Sequence, residues 1–523
     1  MGKGKKYMDM KDSKEYETLY EKLEEYSESD YYPFHMPGHK RNQKDADKSP
    51  YLYDITEIEG FDNLHCPEEI IKERIEKVSE FYKSKKSYYL INGSTCGIMS
   101  AVSAATERKK TIIAARNSHK SLYNTIFLLN LKSEYIYPSY AEEYGIAEAI
   151  RPEELEKLLS EYDNIEEIGA VFITSPTYEG VVSDIKKIAE ISHKRKIPLI
   201  VDEAHGAHFG MHTYFPQSAL ENGADIVIQS LHKTLPSLTQ TAVLHISKQS
   251  LIQSQDLERY LSIYQSSSPS YVLLAGIDRC MDILMKRKEE VFEEYITRLD
   301  NFRKSCRELR YFKLFSAAGH NIHAYDKSKL VIVPDIRYYN GKKLYDVFFN
   351  KYHLQMEMAS ERYVIAMTSI NDTEEGFSRL YQALEDMERE IRISVRYRQI
   401  YSDMSKDGGN VLSYQSEFGN YENKFNIKYE KAVVCKKIRD AYFEKYDMIE
   451  LDMAKGKISQ EFIYLYPPGI PILAPGEIIT ETIIRNVKRY FEQGLNVQGL
   501  ENKECCMIKV VKENWKPVRF GVF

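Results

Sequence analysis

Between residues 87 and 246, short β-rich runs alternate with helical stretches, and this alternation constrains the fold more than any other feature. Strands separated by helices build βαβ units with a parallel sheet. Several runs are almost continuously apolar, as strands covered on both faces should be. We therefore predict one doubly wound α/β domain with a mainly parallel sheet. The predicted strands are 88–91, 111–115, 134–137, 169–174, 198–202, 225–229 and 241–246.

Helices are predicted between these strands at 152–162, which has proline in its first turn, and at 183–195. Further along, 278–309 has the pattern of a long amphipathic helix, and 329–334 and 363–368 resemble strands of a smaller α+β unit.

Two composition changes divide the chain. The polar, glycine-containing stretch 402–410 is predicted to be a linker, and the region after it contains a proline-rich segment at 466–476. The chain is expected to change domain near 317–320. The predicted units are an N-terminal arm (1–65), a large domain (66–318), a small α+β domain (319–401) and a C-terminal domain (402–523).

Charge and cysteine content restrict the partners. Across 523 residues, 72 Lys+Arg against 78 Asp+Glu give a net charge of −6, which offers no general attraction for nucleic acid or anionic membranes. Seven scattered cysteines without a C-x-x-C pair are typical of reduced thiols. The first 30 residues lack an apolar signal segment, and no later run approaches membrane-spanning length. We expect a cytoplasmic protein with a small-molecule ligand.

Two segments that end predicted strands carry the most informative chemistry, namely VDEAH at 201–205 and SLHK at 230–233. In an α/β sheet, ligands bind at the carboxyl ends of strands. Lys233 could there form a Schiff base with a carbonyl cofactor, and a buried Asp202 could keep a pyridine nitrogen protonated. Alone, Lys233 would be an ordinary surface lysine and Asp202 a helix cap. Their joint placement predicts a site for pyridoxal 5'-phosphate.

A phosphate-bearing cofactor also needs an anion cradle. NGSTCG at 92–97 lies between a predicted strand and a helix, where free N–H groups and the Ser94 and Thr95 hydroxyls could bind phosphate. Alone, this segment is more often a plain helix cap. RNSHK at 116–120 places His119 at another strand end, where its imidazole could stack on a flat ring. A single histidine there is usually structural, but its neighbours favour a functional role.

Eight segments, in this order, resemble the Orn/Lys/Arg decarboxylase family of the aspartate aminotransferase fold, which is pyridoxal-phosphate fold type I. They are HMPGHK (35–40), DITE (54–57), NGSTCG (92–97), RNSHK (116–120), SPTYEG (175–180), DEAH (202–205), SLHK (230–233) and YPPGIPILAPG (466–476). The resemblance extends over nearly the whole chain. It implies a PLP-dependent transferase-like large domain with smaller α+β units towards the C-terminus.

The resemblance also implies an activity, the pyridoxal-phosphate-dependent decarboxylation of arginine, lysine or ornithine to the corresponding amine and CO2. It implies that Lys233 binds the cofactor covalently, Asp202 pairs with the ring nitrogen, and His119 stacks on the ring. Lys233 or His119 would return a proton to Cα, so these three residues are the predicted catalytic set. It further implies that the phosphate is bound by Ser94, Thr95, Ser230 and His232, and that the ring hydroxyl lies near His205.

The resemblance bears on assembly as well. Large enzymes of this family carry a receiver-like N-terminal domain, whereas 34 residues precede His35 here, so the chain resembles the short subgroup. SSSP at 266–269 resembles a segment that reaches the phosphate of the neighbouring subunit. This implies a homodimer with shared active sites, to which Ser267 contributes. An ordinary helix start is an equally good interpretation of SSSP.

Three alternatives remain open at this stage. VDEAH also occurs in nucleic-acid helicases, but the phosphate loop G-x-x-x-x-G-K-[ST] is absent from the sequence. A metal hydrolase could use Asp202, His205, His208 and His212, although Gly206 and Gly210 interrupt any helix there. The same fold and cofactor could instead support an aminotransferase or a lyase. Yellow colour would separate a pyridoxal site from a zinc site, and CO2 release would identify a decarboxylase.

A buried cationic head group of the substrate requires a carboxylate. Glu477 follows the Pro475-Gly476 turn, so we predict that it binds the amino or guanidinium end of the substrate. The alternative is a glutamate at the start of a helix over 477–491, where the helix dipole favours it. The sequence does not distinguish arginine, lysine and ornithine, nor polyamine supply from acid resistance.

Overall fold

The computed structural model describes residues 30, 32–34, 55–57, 61–320, 322–406, 430–503 and 506–512. The HMPGHK motif at 35–40 lies outside these residues. Within them the chain forms a large α/β unit, a smaller unit around an antiparallel sheet, and a C-terminal unit that contacts the large unit at Arg116 and Lys120. In the described part of the chain, no helix is both long and apolar enough to cross a membrane.

A seven-stranded sheet forms the large unit. Among the described residues, the first eleven strands include the seven of this sheet and four short ones outside it. In chain order they are β1 (Tyr32–Phe34), β2 (Lys86–Leu90), β3 (Thr111–Ala115), β4 (Lys132–Ile136), β5 (Tyr140–Ala141), β6 (Ile146–Ala147), β7 (Ile168–Thr174), β8 (Val181–Val182), β9 (Leu199–Asp202), β10 (Ile226–Ser230) and β11 (Ala242–Ile246). The sheet order is β2-β11-β10-β9-β7-β3-β4. Within this sheet, β11 runs antiparallel to the other six strands, which all run in one direction. The seven predicted strands are confirmed. Six of them are buried at most positions, as expected for apolar runs in a covered sheet, whereas β4 at the sheet edge is mostly not buried.

Helices cover this sheet. They are α1 (Ile70–Phe81), α2 (Gly93–Thr106), α3 (Lys120–Leu129), α4 (Pro152–Glu161), α5 (Ile185–Lys194), α6 (Leu231–Thr234), α7 (Ser254–Tyr264) and α8 (Tyr271–Ser305). Helix α2 carries small residues and is largely buried, packing on the sheet and against α3 and α7. Helix α4 begins at Pro152, as predicted, because the missing N–H of proline costs nothing in a first turn.

The smaller unit follows α8 and contains the strands β12 (Phe312–Leu314), β13 (Ala324–Tyr325), β14 (Lys329–Pro334), β15 (Leu354–Met356), β16 (Met358–Ala359) and β17 (Val364–Met367), with the helices α9 (Gly341–Tyr352) and α10 (Glu374–Lys406). Its antiparallel sheet has the order β12-β14-β17-β16. The first strand of this sheet along the chain, β12, begins at Phe312. Residues 402–406 continue α10, and the linker prediction is wrong for them. After Gly376 in its first turn, the helix sequence contains no glycine or proline up to Lys406.

The C-terminal unit contains α11 (Ile438–Phe443), β18 (Tyr446–Glu450), β19 (Ile463–Leu465), β20 (Ile470–Leu473), α12 (Glu481–Glu492), β21 (Val497–Gln498) and β22 (Met507–Val511). The predicted helix start at 477 is wrong. Thr480 caps α12 by accepting a hydrogen bond from the Ile483 N–H, so the helix starts four residues later. The proline-rich segment 466–473 reaches the large unit, where the Lys120 N–H donates to the Gly469 carbonyl at 3.1 Å.

Candidate active site

Three predicted residues meet where strands of the large sheet end. Lys233 lies in the short helix α6 that follows β10, and Asp202 is the last residue of β9. His119 precedes α3, just after β3. Because β3, β7, β9 and β10 run parallel, their carboxyl ends form one edge, and all three side chains line one cavity of about 770 Å³. Residues of all three units line this cavity.

Burial controls the charges of the lysine and the aspartate. It lowers the pKa of Lys233, and the charges of Asp202 and Glu357 oppose this shift. The Lys233 Nζ lies 2.9 Å from the Nε2 of His205. Asp202 is 3% exposed, and burial raises its pKa, against the effects of the Lys233 charge and the Ala204 N–H, which donates to its Oδ1. A cationic ring nitrogen would suit this buried carboxylate.

His119 is held as a neutral ring. Burial, followed by the charges of Lys233 and Lys120, lowers its pKa to about 3. Its Nδ1 accepts a hydrogen bond from the Ser121 N–H at 3.2 Å, which caps α3 and leaves the ring proton on Nε2. Gly469 of the C-terminal unit lies beside this ring. A neutral, fixed imidazole can stack on a flat ligand.

The start of α2 provides the anion cradle. Asn92 is the N-cap residue, and Gly93 has a φ of +73°, a conformation that glycine adopts without strain. The first-turn N–H groups have no partner within the helix, and Ser94 and Thr95 line the cavity beside them. Strand β2 runs in the same direction as β10, so this cradle lies at the same edge as Lys233.

The residues present fit pyridoxal phosphate. Among the described residues, the buried hydroxyl oxygen of Ser230 has no hydrogen-bond partner, and a bound phosphate would supply an acceptor. His232 lines the cavity two residues further on. His205 lies beside Lys233, with its ring 4.5 Å from the ring of Tyr178. The chain therefore offers an amine, a buried carboxylate, a neutral ring and an anion cradle around one cavity.

Glu477 lies apart from this cavity, contrary to its predicted contact with the substrate. It is 1% exposed, and its Oε2 lies 3.0 Å from a terminal guanidinium nitrogen of Arg116 and accepts the Ala474 N–H at 2.8 Å. The tight Pro475-Gly476 turn directs its side chain to the large unit, where it neutralises Arg116. Glu477 is also not part of α12, so neither sequence interpretation describes it.

Ser267 is exposed and is not among the described residues that line the cavity. Its loop is held beside the anion cradle, because the Ser266 N–H donates to Asn92 Oδ1 at 3.1 Å and the Ser266 carbonyl lies 2.7 Å from His65 Nε2. The loop therefore has its own partners within the subunit, and an exposed serine remains at its tip.

Four cavity glutamates were not identified as site residues from the sequence, and two of them, Glu357 and Glu179, accept hydrogen bonds from tyrosines. Glu357 connects β15 to β16 and accepts a hydrogen bond from the Tyr178 hydroxyl. Glu179 accepts one from Tyr363 at 2.7 Å. Both glutamates line the cavity. The SPTYEG motif contains Tyr178 and Glu179 and could have suggested them, whereas no local signal distinguishes Glu357.

The histidines of the metal-hydrolase alternative point in different directions. His208 pairs with Asp326 at 3.1 Å, His212 with Glu293 at 3.0 Å, and His205 faces Lys233. Within the described ranges, no group of three or more His, Cys, Asp or Glu side chains is arranged to hold a metal ion.

Comparisons with known proteins give matches over most of the chain. The family model "Orn/Lys/Arg decarboxylase, major domain" matches residues 17–379, and "Orn/Lys/Arg decarboxylase, C-terminal domain" matches residues 421–502. An arginine decarboxylase of Bacillus anthracis is 28% identical over 96% of this chain and 99% of its own length. An arginine decarboxylase of Bacillus subtilis (strain 168) is 29% identical over 95% and 98%.

Solved structures show the same fold. The lysine decarboxylase LdcF of Francisella novicida superposes with a TM-score of 0.68 at 19% identity, covering 85% of this chain and 72% of that one. The constitutive lysine decarboxylase of E. coli superposes with a TM-score of 0.67 at 16% identity, covering 84% and 72%.

Proposed function

Because the chain belongs to the Orn/Lys/Arg decarboxylase family, we propose that arginine is the basic amino acid on which it acts. It is a pyridoxal-phosphate-dependent decarboxylase that converts a basic amino acid to the corresponding amine and CO2. The observation that supports this activity best is the meeting of Lys233, Asp202 and His119 around one cavity. The Bacillus relatives named arginine decarboxylase support arginine over lysine and ornithine.

The proposed roles of the site residues follow from their positions. When bound, pyridoxal phosphate supplies a ring that accepts the electron pair released as the bond between Cα and the carboxylate breaks. Lys233 holds the cofactor covalently, Asp202 keeps its ring nitrogen protonated, and His119 stacks on the ring. The remaining proposed contacts are Ser94, Thr95, Ser230 and His232 with the phosphate, His205 with the ring hydroxyl, and Ser267 from a neighbouring subunit.

A proton must reach Cα after CO2 leaves, and Lys233 and His119 are the candidates because both line the cavity. Burial lowers the pKa of Lys233, so its amine exchanges protons more readily near neutral pH than an exposed lysine does. The nitrogen on which His119 carries its proton, Nε2, is not the one that caps α3.

The head group of arginine requires a carboxylate, and we assign this role to Glu357. Glu357 lines the cavity, and its charge acts on Lys233, so it lies within the reach of one amino acid from the reacting atoms. Tyr178 donates a hydrogen bond to Glu357 and thereby orients it. A carboxylate that receives a guanidinium forms a charge-assisted pair, the strongest class of hydrogen bond available here.

Assembly and location belong to the same proposal. A homodimer would bring the exposed Ser267 loop to a second subunit's cradle, and scattered cysteines without C-x-x-C pairs support a reducing, cytoplasmic environment. The product of arginine decarboxylation carries two basic groups, so it would suit a reaction that builds polyamines.

The test is CO2 release from arginine, lysine and ornithine in parallel, with a simultaneous search for keto-acid products. We expect CO2 release with the highest kcat/KM for arginine, and a loss of about 100-fold in Glu357→Gln. The matched control is Glu430→Gln, which changes a carboxylate at the exposed rim of the same cavity and should alter kcat/KM little. A keto acid without CO2, or a preference for another amino acid, would contradict the proposal.

A further inference from the structure

A lysine that the proposed reaction does not use lies buried beside the site. Lys329 begins β14 and is 1% exposed. Its side chain crosses Gly180, where an added Cβ would lie 2.8 Å from Lys329 Cγ and where φ is +98°. The TYEG segment of the large unit therefore leaves room for this one side chain. Burying an ammonium group is costly unless nearby groups stabilise its charge.

Lys329 and Lys233 approach opposite nitrogens of one imidazole. The Lys329 Nζ lies 3.4 Å from His205 Nδ1, and the Lys233 Nζ lies 2.9 Å from His205 Nε2. Burial and the charges of both lysines hold the pKa of His205 well below its usual range, so the ring is neutral. A neutral imidazole has one N–H and one lone pair. One lysine must therefore donate to the ring while the other accepts from it.

Asp326 favours the charge on Lys329. This fully buried carboxylate lies three residues before Lys329 and pairs with His208 at 3.1 Å. Burial raises its pKa, but the interactions with His208 and Lys329 outweigh burial and lower the pKa below its usual value. The Lys329 N–H also donates to the Asp326 carbonyl. On the other side, Asp202 and Glu357 stabilise a charge on Lys233. In the proposed function, however, Asp202 pairs with the ring nitrogen of the cofactor, and Glu357 pairs with the head group of the substrate.

We propose that Lys329 is a positioning residue whose ammonium donates to His205 Nδ1, so that the His205 proton resides on Nε2 and points at a neutral Lys233 amine. This inference rests on the proposed covalent role of Lys233. A neutral amine is the form that attacks the cofactor aldehyde. In that step a nitrogen–carbon double bond replaces the carbon–oxygen double bond. Both amine hydrogens leave with the oxygen as water, and no oxidant or reductant is needed.

Other titratable side chains among the described residues lie around His205 and Lys233. They are His119, His232, Tyr178, Asp202 and Glu357. Burial lowers the pKa of His119 to about 3 and, together with Glu357, raises the pKa of Tyr178, so both are uncharged near neutral pH. Of the two lysines beside the His205 ring, Lys233 binds the cofactor covalently in the proposed function, and Lys329 keeps its free amino group for contact with the ring.

The experiment measures covalent attachment of pyridoxal phosphate to the full-length apoenzyme as a function of pH. Absorbance follows the rate, and borohydride reduction with peptide mapping identifies the lysine. In Lys329→Met, His205 becomes free to move its proton to Nδ1 and to stabilise a Lys233 ammonium. We expect the pH midpoint of attachment to rise by about one unit or more, and the rate near neutral pH to fall about tenfold. Lys313→Met, at an exposed position of β12, should match the unmodified chain.

A second readout separates positioning from a merely structural role. Pyridoxamine phosphate lacks the aldehyde, so its dissociation constant should stay within about twofold in Lys329→Met. Lys329→Gln removes the positive charge but keeps an N–H donor, so its midpoint should rise in the same direction by a smaller amount, and it replaces Lys329→Met if that variant does not fold. An unchanged midpoint, a parallel loss of pyridoxamine phosphate affinity, or misfolding of both variants would overturn the inference. Attachment to a lysine other than Lys233 in the unmodified chain would instead refute the proposed function.

Discussion

At the residue scale, the amine of Lys233 is the group on which the proposed chemistry depends. Lys233→Ala should abolish turnover and the borohydride-trappable link to the cofactor, because among the lysines that the structure describes only Lys233 follows a strand end beside Asp202. Mass spectrometry of reduced peptides measures the link. Lys120→Ala is the control and should keep it. A pyridoxyl group on Lys40, Lys120 or Lys329 would contradict the assignment.

Asp202→Asn tests the second group. We expect the variant to bind the cofactor but to lose about three orders of magnitude in kcat, because a neutral amide cannot keep the ring nitrogen protonated. Steady-state kinetics and cofactor absorbance measure the two effects separately. Burial raises the pKa of the adjacent Glu203 to about 8, so Glu203→Gln mimics its protonated form and should change kcat little. Near-normal turnover of Asp202→Asn would exclude this role.

The sequence was informative for residues whose position depends on local order. Asp202 ends a strand, and Lys233 and His119 lie within four residues of a strand end, so strand prediction alone places them at one edge. Glu357 and Lys329 come from the smaller unit, and their approach to the cavity depends on how that unit packs against the large one. No local pattern encodes that packing. Glu477 was misplaced for the same reason, since its partner Arg116 lies 361 residues earlier.

At the element scale, the Arg116–Glu477 pair attaches the segment 466–473 to the large sheet. Arg116 also donates to the carbonyls of Pro471 and Ile472. Glu477→Gln leaves the buried guanidinium without a counter-charge, so we expect the free energy of unfolding to fall by about 3 kcal/mol in urea denaturation. Glu481→Gln, in the exposed first turn of α12, should cost far less. Unchanged stability with a raised KM would instead restore the predicted substrate contact.

The elements themselves followed from the sequence where apolar pattern decides structure. The strand Thr111–Ala115 has the predicted bounds because both its faces are buried. Errors occurred where a cap or a helix end decides. The Thr480 side chain moves the start of α12, and the polar residues 402–406 are compatible with helix as well as with a linker. Polar composition alone does not separate these two states.

At the scale of the whole molecule, a shared active site makes a quantitative prediction. Lys233→Ala and Ser267→Arg homodimers should both be inactive, one for lack of the amine and the other because a long side chain blocks the neighbouring phosphate site. Random mixing after dissociation gives half heterodimers, each with one intact site, so activity should recover to about a quarter of normal. The measurement is CO2 release before and after mixing.

The control is a mixture of Lys233→Ala with Asp202→Asn. Each subunit supplies both Lys233 and Asp202 to its own site. In this heterodimer one site therefore lacks the lysine and the other lacks the aspartate, so no recovery of activity is expected. Absence of recovery in the first mixture, with exchange verified by native mass spectrometry, would show that each subunit completes its own site.

The cavity wall formed by residues 466–473 is made much later in synthesis than the strands that carry the other site residues. The ribosome delivers the large sheet through Ile246 while about 220 residues before this wall are still to be made. A nascent chain therefore holds Lys233 and Asp202 long before the segment that lies against His119 exists. The enclosed cavity can therefore form only after residues 466–473 have been added to the chain.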